Sequence, residues 1–178
     1  MFPPPNSQEG VVVVTGASRG IGRQVCLNLL STPTHPQLHV IAVSRSFPDL
    51  PANRRLHIIL GDIADTSTQT QISTHLQSLG MPIFALVNNA ATVATTGPFL
   101  DTTSAEWSHL LSTNLTAALV LCSTCMEALQ KSHGRIINVS SSASQGPIPG
   151  FSAYGMTKAA LNYATKALAL EYPETPQR

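Results

Sequence analysis

The chain has 178 residues, of which 43% are hydrophobic and 11% are charged, and its formal net charge is +1. This composition predicts one compact domain with a substantial core and excludes a disordered chain. A charge so close to zero provides no global field that would attract nucleic acid or an anionic membrane, so we expect neither as a partner.

The first nine residues, MFPPPNSQE, are rich in proline and predict a flexible arm ahead of a single domain at residues 10–178. They contain no basic stretch followed by an apolar run, so they do not resemble a secretory signal. No apolar stretch of the sequence approaches the length of a membrane span. The three cysteines are an odd number in a chain without an export signal. We therefore expect reduced thiols and a cytoplasmic protein.

Apolar segments rich in β-branched residues alternate with helical patterns along the rest of the chain. The predicted strands are Val11–Thr15, Leu38–Ser44, Leu56–Leu60, Ile83–Asn88 and Arg135–Ser140, and the predicted helices are 20–31, 66–79, 104–131 and 153–171. Nearly continuous apolar strands are typical of a parallel sheet that is covered on both faces. The predicted fold class is therefore α/β, a doubly wound parallel sheet of the Rossmann type with strand order 3-2-1-4-5-6, in which the sixth strand is missing.

A glycine-rich segment, GASRGIG at Gly16–Gly22, joins the first strand to the first helix. Glycine allows the backbone to turn tightly near a pyrophosphate, and the helix that follows offers free N–H groups and a positive dipole end. The spacing differs from the G-x-G-x-x-G fingerprint, so a plain turn with a helix cap is the alternative. The residues that we expect to contact a dinucleotide are Gly16, Ser18, Arg19, Gly20, Ile21 and Gly22.

The residues at the end of the second strand indicate which dinucleotide the site would bind. An NAD site usually has an acid there, but this strand ends in Ser44 and is followed by Arg45. Together with Arg19, Arg45 could hold a 2′-phosphate through paired hydrogen bonds, which favours NADP(H). The alternative is that both arginines are solvated surface residues. Asp49 is the only nearby acid that could reverse the preference.

Tyr154 and Lys158 are four residues apart at the start of the last predicted helix, so they share one face. A nearby ammonium favours the phenolate and would lower the pKa of a tyrosine from its usual value of about 10. Tyr154 could then give its proton to a carbonyl oxygen as hydride reaches the carbon. Ser141, after the fifth strand, could bond the same oxygen. Alone, the Tyr–Lys spacing is also typical of a surface pair, but with the glycine loop it predicts a carbonyl-reducing enzyme.

From about Gly10 to Tyr172 the sequence resembles the short-chain dehydrogenase/reductase family. The shared motifs are the T-G-x-x-x-G-x-G loop, an Asp after the third strand, an N-N-A-G segment after the fourth, a helix Asn, and the Ser, Tyr and Lys described above. The positions that this resemblance adds are Asp62, Ile63, Asn89, Ala90, Ala91 and Asn114. Ala91 replaces the last glycine of its motif, a mild departure that would crowd the cofactor slightly.

The resemblance implies a role for each group of matched residues. Asp62, with its neighbour Ile63, would contact the adenine. Asn114 would hold a water in a proton relay with Lys158, which would also bond the nicotinamide ribose. The segment Phe151–Asn162 is similar to the fungal benzil reductase and sepiapterin reductase-like branch, which implies ketones or vicinal diketones as substrates. A homodimer or homotetramer is implied as well.

The family continues into a sixth strand, a Pro-Gly turn, a substrate lid and a last strand, and we expect this chain to be C-terminally truncated. One hypothesis is an NADP(H)-dependent reductase of a small carbonyl substrate. The alternatives are a catalytically silent dinucleotide-binding or interaction protein, and a chain that does not fold stably alone. The six histidines lack ligand spacing, so no metal is expected. Cys122 and Cys125 lie well inside a predicted helix, where core packing is favoured over redox chemistry.

Overall fold

The computed structural model describes residues 9–31, 37–93 and 96–173, so all of the predicted N-terminal arm except Glu9 lies outside the described residues. The strands are β1 (Gly10–Thr15), β2 (Leu38–Ser44), β3 (Leu56–Leu60), β4 (Ile83–Asn88) and β5 (Arg135–Asn138). The α-helices are α1 (Gly20–Ser31), α2 (Thr66–Leu79), α3 (Ser104–Leu111), α4 (Ala117–Lys131) and α5 (Ser152–Glu171). Short 3₁₀ turns cover Phe99–Asp101 and Ser142–Ser144.

The strands form one parallel sheet in the order β3-β2-β1-β4-β5, and the predicted order of these strands is confirmed. β1 is central, with Val12 opposite Val40 on one side and Ala85 on the other. In a parallel sheet all carboxyl ends meet at one edge, and a ligand site is expected outside that edge where the strand order reverses. This edge carries most of the residues singled out by the sequence.

Helices cover both faces of the sheet, as the uninterrupted valines of β1 predict. Val11 and Val13 pack in a cluster with residues of α2 and α4, such as Ile72 and Leu121. The intervening Val12 and Val14 pack on the opposite face with Cys26 and other residues of α1. The period of two along β1 therefore divides its side chains between two hydrophobic layers.

The three cysteines are free and buried, one in the α1 layer and two in the α4 layer. Burial raises the pKa of Cys26 and of Cys122 to about 11, and that of Cys125 to about 12. Thiols with such values stay protonated near neutral pH and are poor nucleophiles. The prediction that Cys122 and Cys125 serve core packing is therefore confirmed.

Two predicted elements differ from the structure. The helix expected over 104–131 contains a π-helical turn at Ser112–Thr116, between α3 and α4. Such single turns frequently occur at functional sites. β5 ends two residues earlier than predicted, at Asn138. Its pairing strand β4 also ends there, at Asn88, and beyond this pair the Val139 carbonyl accepts a hydrogen bond from the Lys158 side chain at 2.7 Å.

The expectation that no apolar stretch approaches a membrane span was wrong in terms of length and composition. The continuous helical segment Ser104–Lys131 has 28 residues and contains a window with a mean hydropathy of 1.3. Half of that window is buried inside the fold, as expected for the core helix of a globular domain. The buried residues of α4, such as Leu121 and Leu129, pack in the hydrophobic cluster on one face of the sheet.

Candidate active site

The glycine loop between β1 and α1 is shaped by two residues in the left-handed region, Gly16 at φ 68° and Gly20 at φ 56°. A Cβ at Gly16 would lie 2.8 Å from Asn89 Nδ2, and one at Gly22 would collide with the Gly16 carbonyl. A Cβ at Gly20 would meet only open space. Gly16 and Gly22 therefore serve close packing, whereas Gly20 leaves room beside the start of α1 for a ligand.

The end of β4 fastens this loop. Thr15 Oγ1 accepts hydrogen bonds from the backbone N–H groups of Asn89 and Ala90, both at 3.0 Å. In return, Asn89 Nδ2 donates to the carbonyls of Thr15 at 2.8 Å and Gly16 at 3.2 Å. Asn89 thus holds the two sides of the strand-order reversal together.

A cleft of about 690 Å³ runs along the carboxyl ends of β1 to β4. The predicted residues that line it are Gly16, Ser18, Arg19, Gly20, Ile21, Arg45, Asp62, Ile63, Asn89, Ala90 and Ala91. Gly22 does not line it, because it packs beneath Gly16. The lining residues that we did not single out from the sequence as ligand contacts are Val43, Ser44, Ser46, Gly61, Thr92 and Thr113. Most of them adjoin a predicted residue at a strand end, which is the signal that could have found them.

Positive charge lies at the mouth of the cleft beyond β2. The Arg45 guanidinium is 3.9 Å from the Asp62 carboxylate, and the Arg45 side chain is 65% exposed. Asp49, the acid that could have reversed the cofactor preference, does not line the cleft. Its carboxylate lies 2.7 Å from Arg23 Nη2, and Arg23 Nε donates to its backbone carbonyl at 2.8 Å. The nearby acid is therefore paired with a cation on α1 and does not line the cleft.

Ala91 fits its place without strain. Among the described non-glycine residues, only His133 has a positive φ, so Ala91 has an ordinary backbone conformation. Its exposed side chain forms part of the cleft wall. The departure from the family's glycine therefore requires no unusual backbone at this position.

α5 carries Tyr154 and Lys158. The Lys158 side chain is only 1% exposed, and its Nζ donates to the Val139 carbonyl and lies 5.9 Å from the centroid of the Tyr154 ring. Desolvation by burial lowers the pKa of Lys158 from its usual 10.5 to about 8. A cation that is so poorly solvated is well placed to stabilise a negative charge developing beside it.

The turn after β5 brings Ser141 toward this helix. Ser141 Oγ accepts a hydrogen bond from Ala143 N at 3.2 Å, and Ser144 Oγ accepts one from Asn162 of α5 at 2.8 Å. A Cβ at Gly155 would lie 2.5 Å from the Ala143 carbonyl. Gly155, directly after Tyr154, therefore permits the close approach of α5 to the Ser141 turn. This packing role of Gly155 was not predicted from the sequence.

Asn114 lies in the π-helical turn and is 1% exposed. Its Oδ1 accepts from Thr92 N at 2.8 Å, and its Nδ2 donates to Thr92 O at 2.9 Å and Thr157 Oγ1 at 3.1 Å. Thr157 Oγ1 in turn donates to the Tyr154 carbonyl at 2.7 Å. Asn114 thus connects the cleft wall after β4 to the first turns of α5.

The predicted catalytic residues lie outside the pocket that the predicted cofactor-binding residues line. None of Asn114, Ser141, Tyr154 and Lys158 lines the large cleft. Within residues 9–31, 37–93 and 96–173, no three His, Cys, Asp or Glu side chains are arranged to hold a metal ion. Because Asn114 bonds both Thr92 of the cleft wall and Thr157 of α5, the cleft and the α5 residues form adjoining halves of one candidate site.

A parallel sheet with this strand order, and a glycine turn at its reversal point, define the class of Rossmann-like α/β proteins. The model of the short chain dehydrogenase family matches residues 10–176, and the chain belongs to this family.

Similar proteins include reductases and a solved enzyme structure. The chain is 37% identical to the L-xylulose reductase of Mesocricetus auratus, over 89% of this chain and 64% of that protein. It is 31% identical to a benzil reductase of Bacillus cereus, over 92% and 69% of the two chains. The structure of the KRED1-Pglu enzyme matches with a TM-score of 0.88 and 29% identity, over 94% of this chain and 71% of that one. The chain thus spans slightly less than two thirds of the length of curated relatives such as the L-xylulose reductase.

Proposed function

We propose that this chain carries the cofactor-binding and proton-transfer residues of an NADP(H)-dependent oxidoreductase that reduces a ketone or diketone to an alcohol. The observation that carries the proposal is the buried Lys158 beside Tyr154, on a helix that packs at Gly155 against the Ser141 turn. Relatives named for L-xylulose and benzil reduction support the substrate class.

The residues of the cleft fit a dinucleotide. Its volume of about 690 Å³ lies within the range of roughly 300–1,000 Å³ that is typical of ligand sites. The left-handed Gly20 opens free space beside the N-terminus of α1, where backbone N–H groups favour phosphate. Asp62 and Ile63 would hold the adenine, and Asn89, Ala90 and Ala91 would line the path toward the nicotinamide.

The preference for NADP(H) rests on the end of β2. Arg45 and Arg19 line the cleft, while Ser44 occupies the position at which an acid would bind a free ribose hydroxyl. Ser44 Oγ donates to the Ser46 carbonyl at 2.7 Å, and Asp49 is paired with Arg23. With Asp49 paired to Arg23, the two cations at this end of the cleft favour a 2′-phosphate, although Asp62 lies 3.9 Å from Arg45.

A bound nicotinamide would supply the hydride. Tyr154 would give its proton to the carbonyl oxygen, or take one from the alcohol in the reverse direction. The Ser141 hydroxyl would donate to the same oxygen and orient it. Lys158 would bond the nicotinamide ribose and stabilise the phenolate after proton transfer. Asn114 would hold the water of the proton relay.

A second candidate is a catalytically silent dinucleotide-binding protein. The observation that favours it is that the cleft lining includes the predicted cofactor residues but neither Ser141 nor Tyr154. We further propose that residues 10–178 act as one domain, in the cytoplasm, as a homodimer or homotetramer without nucleic acid or membrane partners.

Replacing Tyr154 with Phe tests the reductase against the silent protein. We expect ketone-dependent oxidation of NADPH to fall by at least about 10²-fold, as for the loss of a general acid, while NADPH binding is retained. The measurements are turnover by absorbance and a fluorescence titration with NADPH, with NADH as the control. Turnover that survives in Tyr154→Phe would contradict the proton-donor assignment. Saturable binding without any turnover in the wild type would favour the silent protein.

A further inference from the structure

A small cavity of about 10 Å³ adjoins the dinucleotide cleft. Its walls come from the ends of β1 and β4, the π-helical turn and α5, and three residues, Ile63, Ala90 and Thr113, line both spaces. The cavity therefore adjoins the cleft at these three residues.

Two residues that line this cavity each have a buried side-chain oxygen without a hydrogen-bond partner. These oxygens are Asn88 Oδ1 and Thr113 Oγ1, on residues that are 5% and 8% exposed. An unpaired buried polar atom costs about 1–3 kcal/mol of stability, and native proteins pair nearly all of them with protein groups or ordered water. Two such atoms around one cavity indicate a shared partner.

The orientation of the Asn88 amide follows from its neighbours. Thr165 Oγ1 donates its only proton to the Leu161 carbonyl at 2.7 Å, so it must accept from Asn138 Nδ2, at 2.9 Å. The Asn138 oxygen therefore faces Asn88 and accepts from Asn88 Nδ2 at 2.9 Å. This leaves Asn88 Oδ1 as the unpaired atom, so the missing partner must be a donor.

The other polar side chains around the cavity are already engaged. Thr15 Oγ1 bonds the Asn89 and Ala90 N–H groups and the Val87 carbonyl. Asn114 uses its oxygen for Thr92 N and both amide protons for Thr92 O and Thr157 Oγ1. Neither side chain can donate a hydrogen bond to Asn88 Oδ1 without losing one of these hydrogen bonds.

We propose that one water molecule occupies this cavity, donating to Asn88 Oδ1 and hydrogen-bonding the Thr113 hydroxyl. The volume matches the roughly 10–15 Å³ that a single buried water needs, and two partners meet the lower limit of the usual two to four. A larger ligand does not fit. The water links Asn88 at the end of β4 to Thr113 in the π-helical turn, and so it stabilises the turn that carries Asn114.

A crystal structure of the protein at about 1.5 Å resolution or better tests the proposal first. We expect a well-ordered water within hydrogen-bond distance, about 2.6–3.2 Å, of both oxygens, with or without NADPH in the cleft. An empty cavity would overturn the proposal. So would a Thr113 hydroxyl that bonds a helix carbonyl instead.

A variant pair tests the same site in solution. Thr113→Val preserves the side-chain shape but removes one partner, and Thr116→Val makes the same change at an exposed position of the same turn. Magnetic relaxation dispersion of water counts long-lived internal waters. We expect one fewer in Thr113→Val than in the wild type or Thr116→Val, with a lower Tm for Thr113→Val alone. An unchanged count in Thr113→Val would overturn the assignment of Thr113 as a partner.

Discussion

Under the proposed function, individual side chains at the cleft mouth would set the preference between NADP(H) and NAD(H). Arg45 directly follows the end of β2, lines the cleft and lies 3.9 Å from Asp62, with its side chain largely exposed. Asp49, four residues further on, is held by Arg23 on the outer side of the loop. The sequence alone could not distinguish these positions, because the geometry of the loop decides which charge faces the ligand.

Replacing Arg45 with Ala should weaken NADPH binding by roughly 10- to 100-fold, as expected for the loss of charge-assisted hydrogen bonds. NADH binding should change little, because NADH has no 2′-phosphate. Fluorescence titration of both cofactors checks this prediction. Asp49→Ala is the matched control, since Asp49 lies outside the cleft and both dissociation constants should stay near the wild-type values. An equal loss for both cofactors in Arg45→Ala would contradict a role in 2′-phosphate recognition.

Among the elements, strands and the larger helices could be predicted from the sequence, but their irregularities could not. The β-branched runs located β1 to β5, because they are local patterns, and the alternation of strands with helices predicted the doubly wound order that the sheet shows. The apolar periodicity of residues 104–131 did not predict the π-helical turn. The early end of β5 coincides with the end of its partner β4 at Asn88, and the next carbonyl is bonded by Lys158 from a distant helix. Such contacts depend on tertiary packing, which a single sequence does not display.

Gly155→Ala should separate α5 from the Ser141 turn. The new Cβ would meet a backbone carbonyl at 2.5 Å, so the helix itself must move. Overpacking of this kind costs about 1–3 kcal/mol, which exceeds the gain of about 1 kcal/mol from helix propensity. We expect a lower Tm and a lower kcat.

Thermal unfolding and ketone turnover measure the two effects of Gly155→Ala. Gly146→Ala is the control in the same region, because a Cβ there meets nothing within 4 Å. A Gly155→Ala protein with wild-type kcat would show that the close approach of α5 to the turn is not required for catalysis.

At the scale of the whole molecule, three histidines that are far apart in sequence meet at the outer side of the sheet. His39 Nδ1 on β2 lies 3.0 Å from His57 Nε2 on β3, and the His75 ring on α2 lies 4.9 Å from that of His57. Desolvation, followed by the charges of His75 and His39, lowers the pKa of His57 below 6.5. This cluster could not be predicted from the sequence, because its members belong to three separate elements.

The pH dependence of folding follows from this shift. The lowered pKa means that the unfolded chain binds a proton more readily than the folded one. The stability that neutral His57 contributes is therefore complete above about pH 6.5 and is lost as the pH falls through the folded-state pKa. Between about pH 7.5 and pH 5, urea unfolding should show a larger loss of stability for the wild type than for His57→Gln. Equal losses would contradict the role of His57.

The three native cysteines can report on the local opening of the two hydrophobic layers. Cys26 lies in the hydrophobic layer on one side of the sheet, and Cys122 and Cys125 lie in the layer on the other. Because all three thiols are buried and protonated at neutral pH, a thiol reagent can reach each one only when its layer opens. Labelling rates measured residue by residue would therefore time the opening of the two layers separately, without any engineered probe.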